Sequence, residues 1–160
     1  MATQTKNLPT TIFLVAIALA LLGSTAASQE KKITRSQLPA AVQATVTAQS
    51  EGATVRGFSK ETENGQTYYE AELSVGGHSK DILIDSKGNI VEIEEEIAVD
   101  ALPAAVRDGL HAKAASGKLV KVESLTKHGK LVAYEAKVIA NGKKSEVQVG
   151  PDGKPLDHEE

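Results

Sequence analysis

No cysteine occurs anywhere in the 160-residue chain. That excludes a thiol nucleophile, a disulfide framework and a cysteine-ligated metal or cluster. It also excludes a lipid anchor on cysteine, and it leaves hydrophobic burial to hold the fold. Tryptophan is absent, and there are three tyrosines and two phenylalanines. No apolar run reaches the roughly 20 residues that a membrane-spanning helix needs. Positive charge is not in excess: 18 Lys and Arg stand against 21 Asp and Glu, a formal net charge of −3. Nothing therefore suggests nucleic-acid binding. No Gly-x-Ser-x-Gly elbow is present. The glycine pair Gly76-Gly77 precedes a strand pattern, not a helix, and so cannot cradle a phosphate. The four histidines, His78, His111, His128 and His158, have no metal-type spacing. The calcium-loop pattern is missing too, and Asp85-Ser86-Lys87-Gly88 and Asp152-Gly153 read as turns.

Residues 1–28 have the form of a signal peptide. Lys6 gives a positive start, Ile12 to Leu22 is an unbroken apolar run, and Gly23 to Ser28 are all small. The expected cleavage lies between Ser28 and Gln29, which leaves no membrane anchor and places the mature protein in the periplasm or outside the cell. Cleavage removes one lysine and no acid, so the mature charge becomes −4. Phe58, Tyr68, Tyr69 and Tyr134 are then the remaining aromatics.

The mature chain repeats itself. Leu38-Pro39-Ala40-Ala41-Val42 returns as Leu102-Pro103-Ala104-Ala105-Val106. Tyr69-Glu70-Ala71 returns as Tyr134-Glu135-Ala136, and Gly77 returns as Gly142. Landmarks that recur in the same order and at nearly one spacing mark a duplicated unit. The spacing predicts units at 29–99 and 100–160.

Each unit opens on a helix. In the first, a short polar lead precedes it, Ser36 is the expected N-cap, and Pro39 lies in the first turn. Leu38, Val42 and Val46 form an apolar stripe ended by Gly52. Asp100, Pro103, the stripe Leu102, Val106 and Leu110, and Gly117 repeat these devices. Burying one such side chain contributes about 1.5–3 kcal/mol. Beyond each helix the apolar period falls to 2. Four strands are predicted at 55–63, 67–75, 79–85 and 90–97, with turns at Asn64-Gly65, Gly76-Gly77 and Ser86-Lys87-Gly88. In the second unit strands are predicted at 118–127, 131–140 and 143–149. Only Pro155-Leu156-Asp157 remains for a fourth, which is expected to be short or absent. The fold class is thus α+β: a tandem repeat of one helix on an antiparallel meander of about four strands. The linker near Val99 is so short that the two units are expected to touch in one long sheet.

A helix opening Leu-Pro-x-x-Val, a Tyr-Glu-x on the second strand and Asp-x-x-Gly before the last strand resemble the PepSY-like family, grouped with β-lactamase-inhibitor-like proteins. The residues are Leu38 to Val42, Tyr69-Glu70-Ala71 and Asp85 to Gly88, with Leu102 to Val106, Tyr134-Glu135-Ala136 and Gly150 to Gly153 in the second copy. In that last turn Gly150 replaces the leading Asp. The resemblance implies a small exported module that binds or inhibits other proteins. It implies no catalytic residue.

On the strands, Tyr68, Glu70, Glu72, Glu92 and Glu94 fall on the polar side of the pattern and form the candidate interaction face. The alternative is a solvated sheet face that discourages edge pairing. The expected function is a non-enzymatic binding module, an inhibitor or regulator of an envelope hydrolase or peptidase, with a protein partner and no cofactor. Two alternatives are a cation-responsive envelope protein and a small enzyme using carboxylates. A sheet with one polar face and no evident cleft offers no obvious means of shifting a pKa.

Overall fold

A computed structural model describes residues 30–63 and 65–160; the signal segment and its Ser28/Gln29 cleavage point lie outside them. The chain opens with strand β1 (Lys31–Ile33), then a single 3-10 turn (Arg35–Gln37) and helix α1 (Ala40–Gln49). Strands β2 (Thr54–Glu63), β3 (Gln66–Val75), β4 (His78–Asp85) and β5 (Ile90–Glu96) follow. A second 3-10 turn (Val99–Ala101) leads to α2 (Ala104–Ala114). Strands β6 (Lys118–Lys127), β7 (Lys130–Ala140) and β8 (Lys143–Val149) complete the order.

All eight strands form one antiparallel sheet in sequence order, β1 to β8. The α+β class is therefore observed, with two helices on a single meander. The join is β5: Asp81 pairs with Glu94 on one side of it, and Glu94 pairs with Leu125 on the other. Strand β1 falls in the polar lead, where so short a segment shows no period; it pairs with β2 through Ile33 and Phe58. The short strand expected at Pro155-Leu156-Asp157 reduces to one bridge, Val149 to Pro155, in keeping with a segment that opens on proline.

Both helices start later than the caps suggested. Ser36 and Asp100 lie inside the 3-10 turns, and Pro39 and Pro103 hold the N-cap positions. A residue before proline is driven out of the helical region. Leu38 (ψ 140°) and Leu102 (ψ 146°) are accordingly extended, so each helix can begin only beyond its proline. Nor does Gly117 end α2, since the chain turns at Ala115 with φ 52°. Gly117 instead lies against Val138, where a Cβ would strike the valine methyl.

Each stripe buries as its spacing predicts. Leu38, Val42 and Val46 pack on Phe58, Tyr69, Leu73, Ile82 and Ile84. Leu102, Val106 and Leu110 pack on Val122, Tyr134, Val138 and Val149. Tyr69 and Tyr134 point inward, each followed by an outward glutamate. The helices also lean on the turns that follow β4 and β8. Thr45 Oγ1 donates to the Gly88 carbonyl at 2.6 Å. At the matching place in α2 stands Gly109, whose missing side chain leaves room for the Gly153 carbonyl.

Alanine in a helix is worth about 1 kcal/mol over glycine on propensity alone. At Gly109, however, a methyl would collide with the Gly153 carbonyl oxygen. Gly109→Ala is therefore expected to destabilise the protein by about 1–3 kcal/mol, measured by urea unfolding. A gain in stability would mean that α2 does not rest on this turn.

Candidate functional site

The face of the sheet away from the helices is built by alternation, since every second strand residue points to it. Register then stacks those residues into rows. One row runs Glu72, Asp81, Glu94, Leu125 and Ala133 across β3 to β7. The next runs Ser59, Glu70, Leu83, Glu92 and Lys127 across β2 to β6. A third holds Glu96, Glu123, Glu135 and Gln148. Tyr68 stands beside them, paired with Glu61 and Asp85, and its hydroxyl donates to Gln66 Oε1 at 2.6 Å.

All five residues of the candidate face lie on this one surface: Tyr68, Glu70 and Glu72 on β3, and Glu92 and Glu94 on β5. They are not the exposed fringe that a charged run suggests. Glu92 is 9 % exposed and Glu123 3 %, and Glu70, Glu72, Asp81 and Glu94 are half-buried. Strands about 4.8 Å apart pack the carboxylates side by side, so each shields its neighbours from water.

The polar partners are few. Ser59 Oγ donates to Glu70 Oε2 at 2.8 Å. Lys32 Nζ approaches Glu72 at 3.7 Å. Lys121 and Lys137 both pair with Glu123, and Lys127 pairs with Glu92 at 3.8 Å. Gln148 Nε2 donates to Glu135 Oε2 at 2.8 Å, while the buried Glu135 Oε1 has no hydrogen-bond partner.

Crowded, half-dry carboxylates hold their protons. Burial, reinforced by Glu123, Glu92, Glu135 and Asp81, raises the Glu94 pKa to about 9. Burial raises Glu70 to about 7, against the opposing Ser59 hydrogen bond. It also lifts Asp81 to about 6, although Lys121 pulls the other way. Glu92 and Glu135 are pushed up by burial as well. Burial works against the charge on Lys137, but Glu123 and its acidic neighbours outweigh it and raise that pKa. The expectation that this fold lacks a means of shifting a pKa is thus corrected: lateral crowding on the open sheet face suffices.

Asp81, Glu94 and Glu123 bring one carboxylate oxygen each within 4.8 Å of one another, and Glu30, Glu70 and Glu72 do the same. Hard oxygen donors of this kind suit calcium or magnesium. Two lysines already neutralise Glu123, however, and Glu94 would first have to lose its proton. Asp81 and Glu123 were not singled out from the sequence, and Glu135 was read only as the outward glutamate of the repeated Tyr-Glu pair. Asp81 was legible through the hairpin turn at Gly76-Gly77, which fixes it opposite Glu72; the other two required the β5–β6 register.

The site therefore defines an α+β sheet protein with an acidic, half-buried open face. The family model described as "Putative beta-lactamase-inhibitor-like, PepSY-like" matches residues 25–91 and 67–148, and the chain belongs to this family. Among solved structures, a DUF2874 family protein from Bacteroides ovatus is 21% identical with a TM-score of 0.60, over 75% of this chain and 85% of that one. A BLIP-like protein from Bacteroides fragilis is 21% identical with a TM-score of 0.57, over 74% and 83%. A "putative periplasmic" protein from Bacteroides eggerthii is 19% identical with a TM-score of 0.61, over 74% and 86%. These likenesses are of fold. No curated protein matches the chain. Among the described residues no helix is long and apolar enough to cross a membrane.

The raised acids make stability depend on pH. In the unfolded chain Glu94 releases its proton near its ordinary value of 4.5, but in the fold only near 9. Its contribution is complete below 4.5 and is lost as pH rises through 9. Glu70 and Asp81 add losses that are complete near pH 7 and 6. Each pH unit of separation is worth about 1.4 kcal/mol. Realising half of the Glu94 separation would lower the melting temperature between pH 5 and pH 9 by roughly 10 °C. Glu94→Gln is expected to flatten this fall, measured by thermal melts across the range. A melting temperature that rises toward pH 9 would contradict the burial of these acids.

Proposed function

We propose that the protein is an exported, non-enzymatic binding module of two tandem units, 29–99 and 100–160, acting in the periplasm or outside the cell. The order strand, 3-10 turn, helix, three strands occurs twice, as β1 to β4 and β5 to β8, which supports a duplication while placing β5 at the head of the second unit rather than before the 99/100 boundary. Strand β5 pairs with both neighbours and so serves both units. The compartment is supported by the Ile12 to Leu22 run and by the periplasmic description of the Bacteroides eggerthii neighbour.

The observation that carries the function is the open face itself. It sets Tyr68 beside Glu70, Glu72, Glu92 and Glu94 on one surface, clear of both helices. A partner presenting lysine or arginine there would favour the ionised carboxylates and displace their protons. Binding would then tighten as pH rises. An envelope hydrolase or peptidase, inhibited or regulated by this contact, is the partner class in keeping with the family description.

A second reading, a cation-responsive envelope protein, is favoured by the convergence of Asp81, Glu94 and Glu123. Any cation there competes with the Glu94 proton. Calcium should therefore raise the melting temperature more at pH 9 than at pH 6, since a ligand of the native state alone stabilises it. Identical melts with and without calcium at both values would remove this reading.

The binding module is tested with the 29–160 chain as bait in envelope extract, read by mass spectrometry. One enriched protein is expected, lost when Tyr68→Ala is combined with Glu72→Lys and retained by Lys118→Glu at the exposed start of β6. Equal capture by all three baits would disprove the face assignment.

A further inference from the structure

The open face is not uniform. Across β3 to β5 its charged residues are acids, whereas on β6 and β7 Lys121, Lys127 and Lys137 stand among Glu123 and Glu135. On this second half Leu125 and Ala133 are 4% and 0% exposed, although both lie on the side away from the helices. The segment that reaches this half is Leu156–Glu160. Leu156 Cδ2 lies close to Gly150, 3.4 Å from where a Cβ on that glycine would sit. Further on, the Glu160 amide donates to Gln148 Oε1 on β8 at 2.8 Å. The Glu160 carboxylate lies 3.8 Å from Lys127 Nζ on β6. Glu160 thus spans β7, above the strand that carries Ala133, while Asp157, His158 and Glu159 between the two anchors are exposed.

We propose that the outer face of β6–β8 is a docking seat for an extended acidic segment of a partner protein, held in this chain by its own residues Leu156–Glu160. The seat has the parts such recognition needs. Gln148, oriented by its bond to Glu135, reads a backbone amide. Lys127 reads a carboxylate, and the floor of Leu125 and Ala133 is apolar. The tail is fastened only at its ends, so it resembles a ligand tethered in place more than a strand of the fold. A tether of this length gives an effective concentration in the millimolar range, which an outside segment must exceed. The seat adjoins the acidic binding face, since Lys127 also pairs with Glu92, but Ala133 and Gln148 on β7 and β8 belong to the seat alone and report on it separately.

The test uses the 29–160 chain, labelled with nitrogen-15, and the synthetic peptide Lys154–Glu160 added in trans. Leu156→Gly with Glu160→Lys removes the Leu156 side chain and turns the Lys127 ion pair into a repulsion, leaving only the Glu160 amide bond to Gln148. The released variant is expected to bind the peptide, with amide shifts at Lys127, Ala133 and Gln148. The unaltered chain should bind it at least tenfold more weakly, because its own tail competes. Adding Lys127→Glu to the released variant should cost at least tenfold. Absence of shifts at these residues, or equal affinity with and without the tail anchors, overturns the proposal. So does a released variant that no longer melts cooperatively, because the tail would then belong to the fold. A concentration-dependent dimer of the unaltered chain would assign the seat to a second copy and overturn the partner.

Discussion

The backbone pairings of Glu92–Glu96 on β5 against Glu123–Lys127 on β6 decide what this protein can do. Each helix with its strands has its own apolar cluster and could be described alone. Only the β5–β6 ladder makes one surface of them. It brings Glu123, with its two lysines, beside Glu94 and Asp81, and Lys127 beside Glu92. The unusual electrostatics are properties of that seam rather than of either half.

The seam also explains why acids are tolerated where water is scarce. A buried carboxylate is costly only if it must stay charged. On this face the cost is met in two ways. Glu123 is paired with two cations, Lys121 and Lys137. Glu94, without a cation of its own, keeps its proton instead. Which neighbour the register supplies thus decides how each carboxylate is accommodated.

Much of this was legible in the residues. The helix stripes, the inward tyrosines, the hairpins and the shortened last strand follow from periodicity and turn chemistry, which act over short stretches of chain. What was misread depended on longer range or finer geometry. The helix starts moved because a proline constrains the residue before it more strongly than Ser36 or Asp100 can cap. Strand β1 was missed because so short a segment carries no pattern. The five face residues were placed on one side by parity alone. Their burial and their proton affinity come from cross-strand neighbours, and some of these, such as Glu123 and Glu135 beside Glu94, lie far along the chain where no local window reaches.

The raised acids have a consequence for the molecule as a whole. A formal charge of −3 assumes that every carboxyl is ionised at neutral pH. With Glu94 still protonated there and Glu70 near half-titration, the folded chain is less negative than its composition states. Its isoelectric point lies above that of the same chain unfolded. Unfolding at neutral pH must therefore release protons to the solvent, so folded and unfolded molecules differ in electrophoretic mobility by charge as well as by size.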